Sequence, residues 1–101
     1  MTIVFVDIKE EPKGNKRFVA YFYNQLMRKV KTVRFGSATG KTYIDHNDDN
    51  KKEAWLARHS KIQGIDYTDP LKPSTLSRDI LWNNKTLKKS IENYKSRFDL
   101  L

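Results

Sequence analysis

The chain has no cysteine. Disulfide scaffolds, thiolate zinc sites and cysteine nucleophiles are therefore excluded. Its 2 histidines, His46 and His59, cannot close a zinc site without recruited carboxylates. No apolar run approaches the ~20 residues needed to span a bilayer. The opening stretch Met1-Thr-Ile-Val-Phe-Val-Asp is apolar but too short for a signal sequence, and it has no basic flank. A soluble, intracellular chain without membrane contact is expected. Glycine and proline are scarce, 4 and 3 residues, and there are no repeats, low-complexity tracts or long linkers. Ser77 has no histidine near it in the predicted elements, so a hydrolase triad has no support.

Positive charge is what the chain has in excess. Twenty Lys and Arg stand against 12 Asp and Glu, a formal net charge of +8. The sequence pI of ≈ 9.8 exceeds the value of about 9 that marks a nucleic-acid footprint. At 101 residues, 38% hydrophobic and 12% aromatic, the chain suffices for one folded domain with one modest core.

Periodicity divides that domain into three stretches. Residues 1–36 read as a β-meander. Thr2–Ile8 is β-branched and aromatic, Arg17–Tyr23 repeats that character, and Lys29–Phe35 alternates less regularly. Glu10–Asn15 and Asn24–Arg28 supply the turns. Residues 37–47 read as a loop and 48–101 as helical. In a first helix Asn50 and Glu53 have capping-box spacing, Trp55, Arg58, His59 and Ile62 share helical spacing, and Gln63-Gly64 forms the stop. Asp66–Pro73 reads as a loop. Ser74 or Thr75 opens a second helix that ends at Asn83-Asn84. Thr86 caps a third, in which Leu87, Ile91, Tyr94 and Phe98 make an apolar stripe. The expected fold is α+β: a three-stranded antiparallel meander with three helices packed on it.

Three segments carry possible chemistry. Asp45-His46-Asn47-Asp48-Asp49 is oxygen-rich, as magnesium or calcium sites and nucleases require. It lacks the calcium-loop glycine and glutamate, and acidic clusters before a helix serve as caps, so neither metal nor cofactor is expected. Gly36-Ser-Ala-Thr-Gly40, followed by Lys41-Thr42, has one residue too few between its glycines for a phosphate-binding P-loop, and reads as a flexible turn with an occasional phosphate contact. Trp55 and Trp82 read first as core anchors and second as base-stacking residues. Arg78, one turn before Trp82, suits a guanidinium–indole pair as well as a phosphate.

The ordered set Arg34-Phe35-Gly36, Tyr43-x-x-His46-x-Asp48, Lys51-Lys52, Arg58-His59, Asp69-Pro70, Leu76-Ser77-Arg78, Ile80-Leu81-Trp82-Asn83, Ser90-Ile91, Tyr94-Lys95 and Arg97-Phe98 resembles a family of small basic proteins of large nucleocytoplasmic DNA viruses, the giant viruses among them. The resemblance covers residues 30–100. It implies a protein associated with the viral genome, in the virion and in the host cytoplasm or viral factory. Two departures stand out. Pro73-Ser-Thr-Leu-Ser-Arg replaces the Gly-Ala-Leu-Ser-Arg run that such proteins carry, and Gln63-Gly-Ile-Asp-Tyr67 replaces a more basic loop.

Together these readings predict a non-enzymatic, largely sequence-nonspecific double-stranded DNA-binding protein that packages or organises a viral genome. The expected phosphate contacts are Arg34, Lys41, Lys51, Lys52, Arg58, His59, Arg78, Lys88, Lys89, Lys95 and Arg97. Two alternatives stay open: a winged-helix-like sequence-specific regulator, and a virion structural or adaptor protein that binds acidic protein surfaces. A homodimer through the apolar first strand, Ile3–Val6, is expected if that strand lies at a sheet edge.

Overall fold

A computed structural model describes residues 2–62 and 67–101. The expected helix stop at Gln63-Gly64, and the substituted loop as far as Asp66, lie outside the described residues. The α+β class is as the sequence implies: among the described residues an antiparallel sheet of order β1-β2-β3 is followed by four α-helices, with a π-helical turn between the third and the fourth.

The strands are β1 (Ile3–Lys13), β2 (Lys16–Asn24) and β3 (Lys29–Ser37). β1 outruns its predicted end at Ile8. Gly14 at φ 61 and Asn15 suffice for the turn, so Lys13 pairs with Lys16. Pro12 fits within β1 because an edge strand has an N–H it can do without, and the register shifts between Glu10 and Lys13. At the second turn, Asn24 accepts Leu26 N–H at 2.9 Å and Arg28 N–H at 3.1 Å through its side chain.

Alternation sets the buried face. Val6, Ile8, Phe18, Ala20, Phe22, Val33 and Phe35 point to one side. Leu76, Ile80, Leu81, Tyr94 and Leu100 cover them from the helical part. At the end of β3, Gly36 adopts φ 79, and a Cβ placed there would meet Leu81 Cδ1 at 3.0 Å. Glycine thus lets the sheet and Leu81 touch.

The segment 37–47 is not all loop. Tyr43–His46 forms one helical turn, α1. It is fixed because the Asp45 carboxylate receives Thr42 N–H at 2.8 Å and the Thr42 hydroxyl at 3.0 Å. The next helix, α2 (Asp49–Ser60), starts earlier than expected. Its cap is Asp48 rather than Asn50: Asp48 Oδ1 accepts Asn50 N–H at 3.0 Å and Lys51 N–H at 3.3 Å. No residue of α2 is fully buried.

The expected second helix has two parts. α3 (Pro73–Leu76) begins with proline at its first turn and runs into a π-helical turn, Ser77–Leu81. Thr75, Leu76, Asp79, Ile80 and Leu81 are all buried. α4 (Leu87–Arg97) is capped as predicted, with Thr86 Oγ1 accepting Lys89 N–H at 3.1 Å. Its stripe packs on the core, Tyr94 buried and Leu87, Ile91 and Phe98 partly so.

β1 is an edge strand, as the dimer expectation requires. Part of that edge is occupied. Leu101 N–H donates to Val4 O at 2.9 Å, and Val6 N–H donates to Leu101 O at 3.1 Å. The rest of the strand carries Lys9, Glu10, Pro12 and Lys13, residue types that discourage edge pairing.

Candidate nucleic-acid interface

Helical spacing on α2 places Trp55 and His59 one turn apart, with ring centroids 3.7 Å apart and nearly parallel. His59 Nδ1 also lies 2.8 Å from Trp55 O. The π-turn delivers Trp82 against Trp55 as well: the indoles lie 5.2 Å apart at an interplanar angle of 11°. His46, from α1, tilts against Trp82 at 5.6 Å. His46 Nδ1 accepts Asp48 N–H at 3.0 Å, which assigns the proton to Nε2, and that atom is buried with no hydrogen-bond partner among the described residues. Four rings from three helical segments form one column. Both tryptophans are half-buried within it, neither in the sheet core nor isolated on the surface.

Trp82 is shared by two grooves. One, of about 520 Å³, is lined by Lys52, Arg78, Arg97, Asn83 and Asn93, with Asp79 among them. The other, of about 530 Å³, lies between the Gly36–Lys41 loop and the column, with Lys16 and Lys41 on its wall. Arg78 does not pair with Trp82. Its guanidinium sits 4.8 Å from the centre of the Tyr67 ring.

The cations divide by type. Arg34 donates to Glu11 O and to the Glu11 carboxylate, each at 3.0 Å. Arg97 binds the Asp79 carboxylate and the Tyr67 carbonyl. Arg17 binds Glu10 and both oxygens of Asp45. These arginines tie elements of the fold together. Lys41, Lys51, Lys88 and Lys89 are exposed, as is Arg58. Lys89 has one loose, solvent-facing partner, Glu92 at 3.8 Å, of the kind that contributes little. Lys52 lies between the two sets: its ammonium donates to Asn83 O at 2.6 Å and sits 4.8 Å from the Tyr43 ring centre. Lys95 is half-buried, 5.7 Å from the Phe5 ring centre.

Of the expected phosphate contacts, Arg34 and Arg97 are therefore committed within the fold and His59 is stacked. Lys41 lines the second groove, Lys52 and Arg78 line the first, and Lys51, Arg58, Lys88 and Lys89 stand in solvent. Lys16, beside the first turn, escaped the sequence reading. Its only signal is position, since the groove it lines exists only once β2, the Gly36–Lys41 loop and the π-turn are assembled.

The acidic cluster is used internally. Asp45 is consumed by Arg17 and Thr42, and Asp48 caps α2. Asp49 accepts the Tyr43 hydroxyl at 2.5 Å, which raises the Tyr43 pKa. Hydrogen bonds from Arg17 hold the Asp45 carboxyl far below the usual carboxylate range, with Thr42 contributing. Burial pushes Asp79 the other way, against the opposing charge of Arg97. Among the described residues, no group of three or more His, Cys, Asp or Glu is placed to hold a metal ion.

The chain belongs to a family of unknown function, DUF5754, whose sequence model matches residues 6–59. That span runs from β1 through nearly all of α2, including Trp55 and His59, and ends before Trp82. No curated protein and no solved structure matches the chain.

Proposed function

We propose that this DUF5754 chain is a non-enzymatic protein that binds double-stranded DNA largely without regard to sequence, and that it helps package or organise a viral genome. The observation that carries the reading is the division between arginine and lysine. Arginine offers a planar fork suited to bidentate reading of bases; lysine is a mobile point charge suited to any phosphate. Here Arg17, Arg34 and Arg97 are engaged with carboxylates, and most of the exposed cations are lysines. Such a surface attracts a polyanion and reads little of its sequence.

The resemblance to proteins of large DNA viruses supports the viral setting, in the virion and the host cytoplasm. The regulator reading fares less well. The segment that would be its recognition helix, residues 75–83, buries Thr75, Leu76, Asp79, Ile80 and Leu81 and is left with few side chains to present to a groove. A homodimer through β1 would have to displace Leu101 from Val4 and Val6.

Gel shift with unrelated duplexes at two salt concentrations tests the proposal. Retardation of every duplex with a steep salt dependence is expected. Discrimination between duplexes would favour the regulator. No shift at low salt would leave an adaptor for acidic proteins.

A further inference from the structure

The groove behind the Gly36–Lys41 loop differs in chemistry from the rest of the basic surface. No carboxylate lines it among the described residues, whereas the neighbouring groove contains Asp79. Its wall combines the indoles of Trp55 and Trp82, the Tyr67 ring, the hydroxyl-bearing Ser37 and Ser77, and the ammonium-bearing Lys16 and Lys41. At about 530 Å³ it falls in the size range of small-ligand sites, roughly 300–1,000 Å³.

One detail gives it directionality. Near-parallel rings 5.2 Å apart are offset, so each indole leaves part of its face uncovered by the other.

We propose that this groove binds one unpaired nucleotide of a nucleic-acid strand, with its base against the Trp55–Trp82 indoles and its phosphate on Lys16 and Lys41. The inference rests on the reading of this chain as a nucleic-acid-binding protein. A base inside a duplex hides both faces in the stack. A base from a single-stranded stretch, a frayed end or a flipped position offers a face to an aromatic wall. Stacking accepts any base, and lysine accepts any phosphate, so the site adds a preference for strand state without one for sequence. The loop that the sequence shows as two glycines ahead of a lysine forms the mouth of this groove, with Gly36, Gly40 and Lys41 lining it.

Titration of tryptophan fluorescence with a short oligothymidylate, set beside a duplex of equal length, tests this. The single strand is expected to quench the tryptophans. Lys16→Gln with Lys41→Gln is expected to weaken its binding several-fold and to lower its salt slope by about 0.7, the value for one phosphate contact on a single strand. Duplex affinity should fall by a clearly smaller factor, because Lys51, Lys88, Lys89 and the other exposed lysines remain. Both lysines are exposed, and circular dichroism confirms that the variant is folded. Duplex binding without any response to oligothymidylate would overturn the groove assignment and leave the duplex reading standing. Equal losses on both ligands would overturn it too. A response to oligothymidylate with no duplex binding would overturn the duplex reading and keep the groove. Silence toward both would end both.

Discussion

Arg17 forks onto both carboxylate oxygens of Asp45, at 2.7 and 2.8 Å, and so fastens the first hairpin to the single turn of α1. Both side chains are largely covered, at 21% and 17% exposure. Asp45→Ala is therefore expected to cost roughly 1.5–3 kcal/mol, the range for hydrogen bonds to charged groups.

The pH dependence follows from the depressed Asp45 pKa. The folded state holds the ionised form more strongly than the unfolded chain does. The contribution is complete above the ordinary carboxylate range and is lost as pH falls through and below it. Urea midpoints of the wild type and of Asp45→Asn should converge in acid. Asp79 has the opposite sign: burial raises its pKa, so its contribution declines as pH rises through the carboxylate range. Unfolding titrations of Asp45→Asn and Asp79→Asn should therefore differ from the wild type in opposite directions with pH.

The lysine and arginine sets are expected to separate in mutagenesis. Lys88→Glu with Lys89→Glu should weaken binding to any duplex, and the salt slope should fall by about 0.9 for each phosphate contact removed. Unchanged affinity and slope in the folded variant would remove both residues from the interface. Arg97→Ala should instead lower the urea midpoint, because it strands the covered carboxylate of Asp79, and Arg34→Ala should lower it less, because Glu11 keeps the Tyr21 hydroxyl and water.

The acidic cluster is expected to behave as structure. Asp48→Ala removes the α2 cap and should cost about 0.5–2 kcal/mol. Asp49→Ala adds the loss of the Tyr43 hydroxyl's acceptor. Stability and DNA binding should not respond to EDTA. Magnesium-dependent cutting of plasmid DNA, abolished in the double variant, would make the protein a nuclease.

Gly36→Ala should destabilise by roughly 1–2 kcal/mol from left-handed backbone strain alone, with the 3.0 Å approach to Leu81 adding to it. Gly14→Ala shares the strain, at φ 61, but meets no atom within 4 Å. Thermal melts of the two variants should rank Gly36→Ala as the less stable.

The elements that were legible in the sequence are those whose cause is local. Thr86 caps α4 through a hydrogen bond three residues long, and the Leu87-Ile91-Tyr94-Phe98 stripe obeys the helical period. α1 was missed because its box, Thr42 with Asp45, spans a single turn, too short for any period to register. Asp48 caps α2, in line with the reading of its acidic cluster as caps, while the capping-box spacing of Asn50 and Glu53 goes unused because the donors that choose the cap belong to the backbone. The π-turn was hidden because Leu76 and Ile80 satisfy an α-helical pattern equally well. Its extra width shows only in the burial of Asp79 and Leu81, which Arg97 and Gly36 make possible from elsewhere in the chain. The column was illegible for the same reason: Trp55 and Trp82 belong to different elements, and neither sequence neighbourhood refers to the other.

The π-helical turn buffers that column against a change of chain length. A π-turn carries one residue more than the α-turn it replaces, so Ser77–Leu81 stores one residue of slack directly before Trp82. Removing a single residue there would let the backbone relax into regular α-helix at little local cost. The wider turn spreads its extra residue over the same single revolution, so the chain would leave the helix in nearly the same phase. Trp82 would stay against Trp55, and the wall shared by both grooves would survive. A deletion in α2 ahead of Trp55, a regular α-helix without such slack, would instead turn Trp55 by about 100° and break the column.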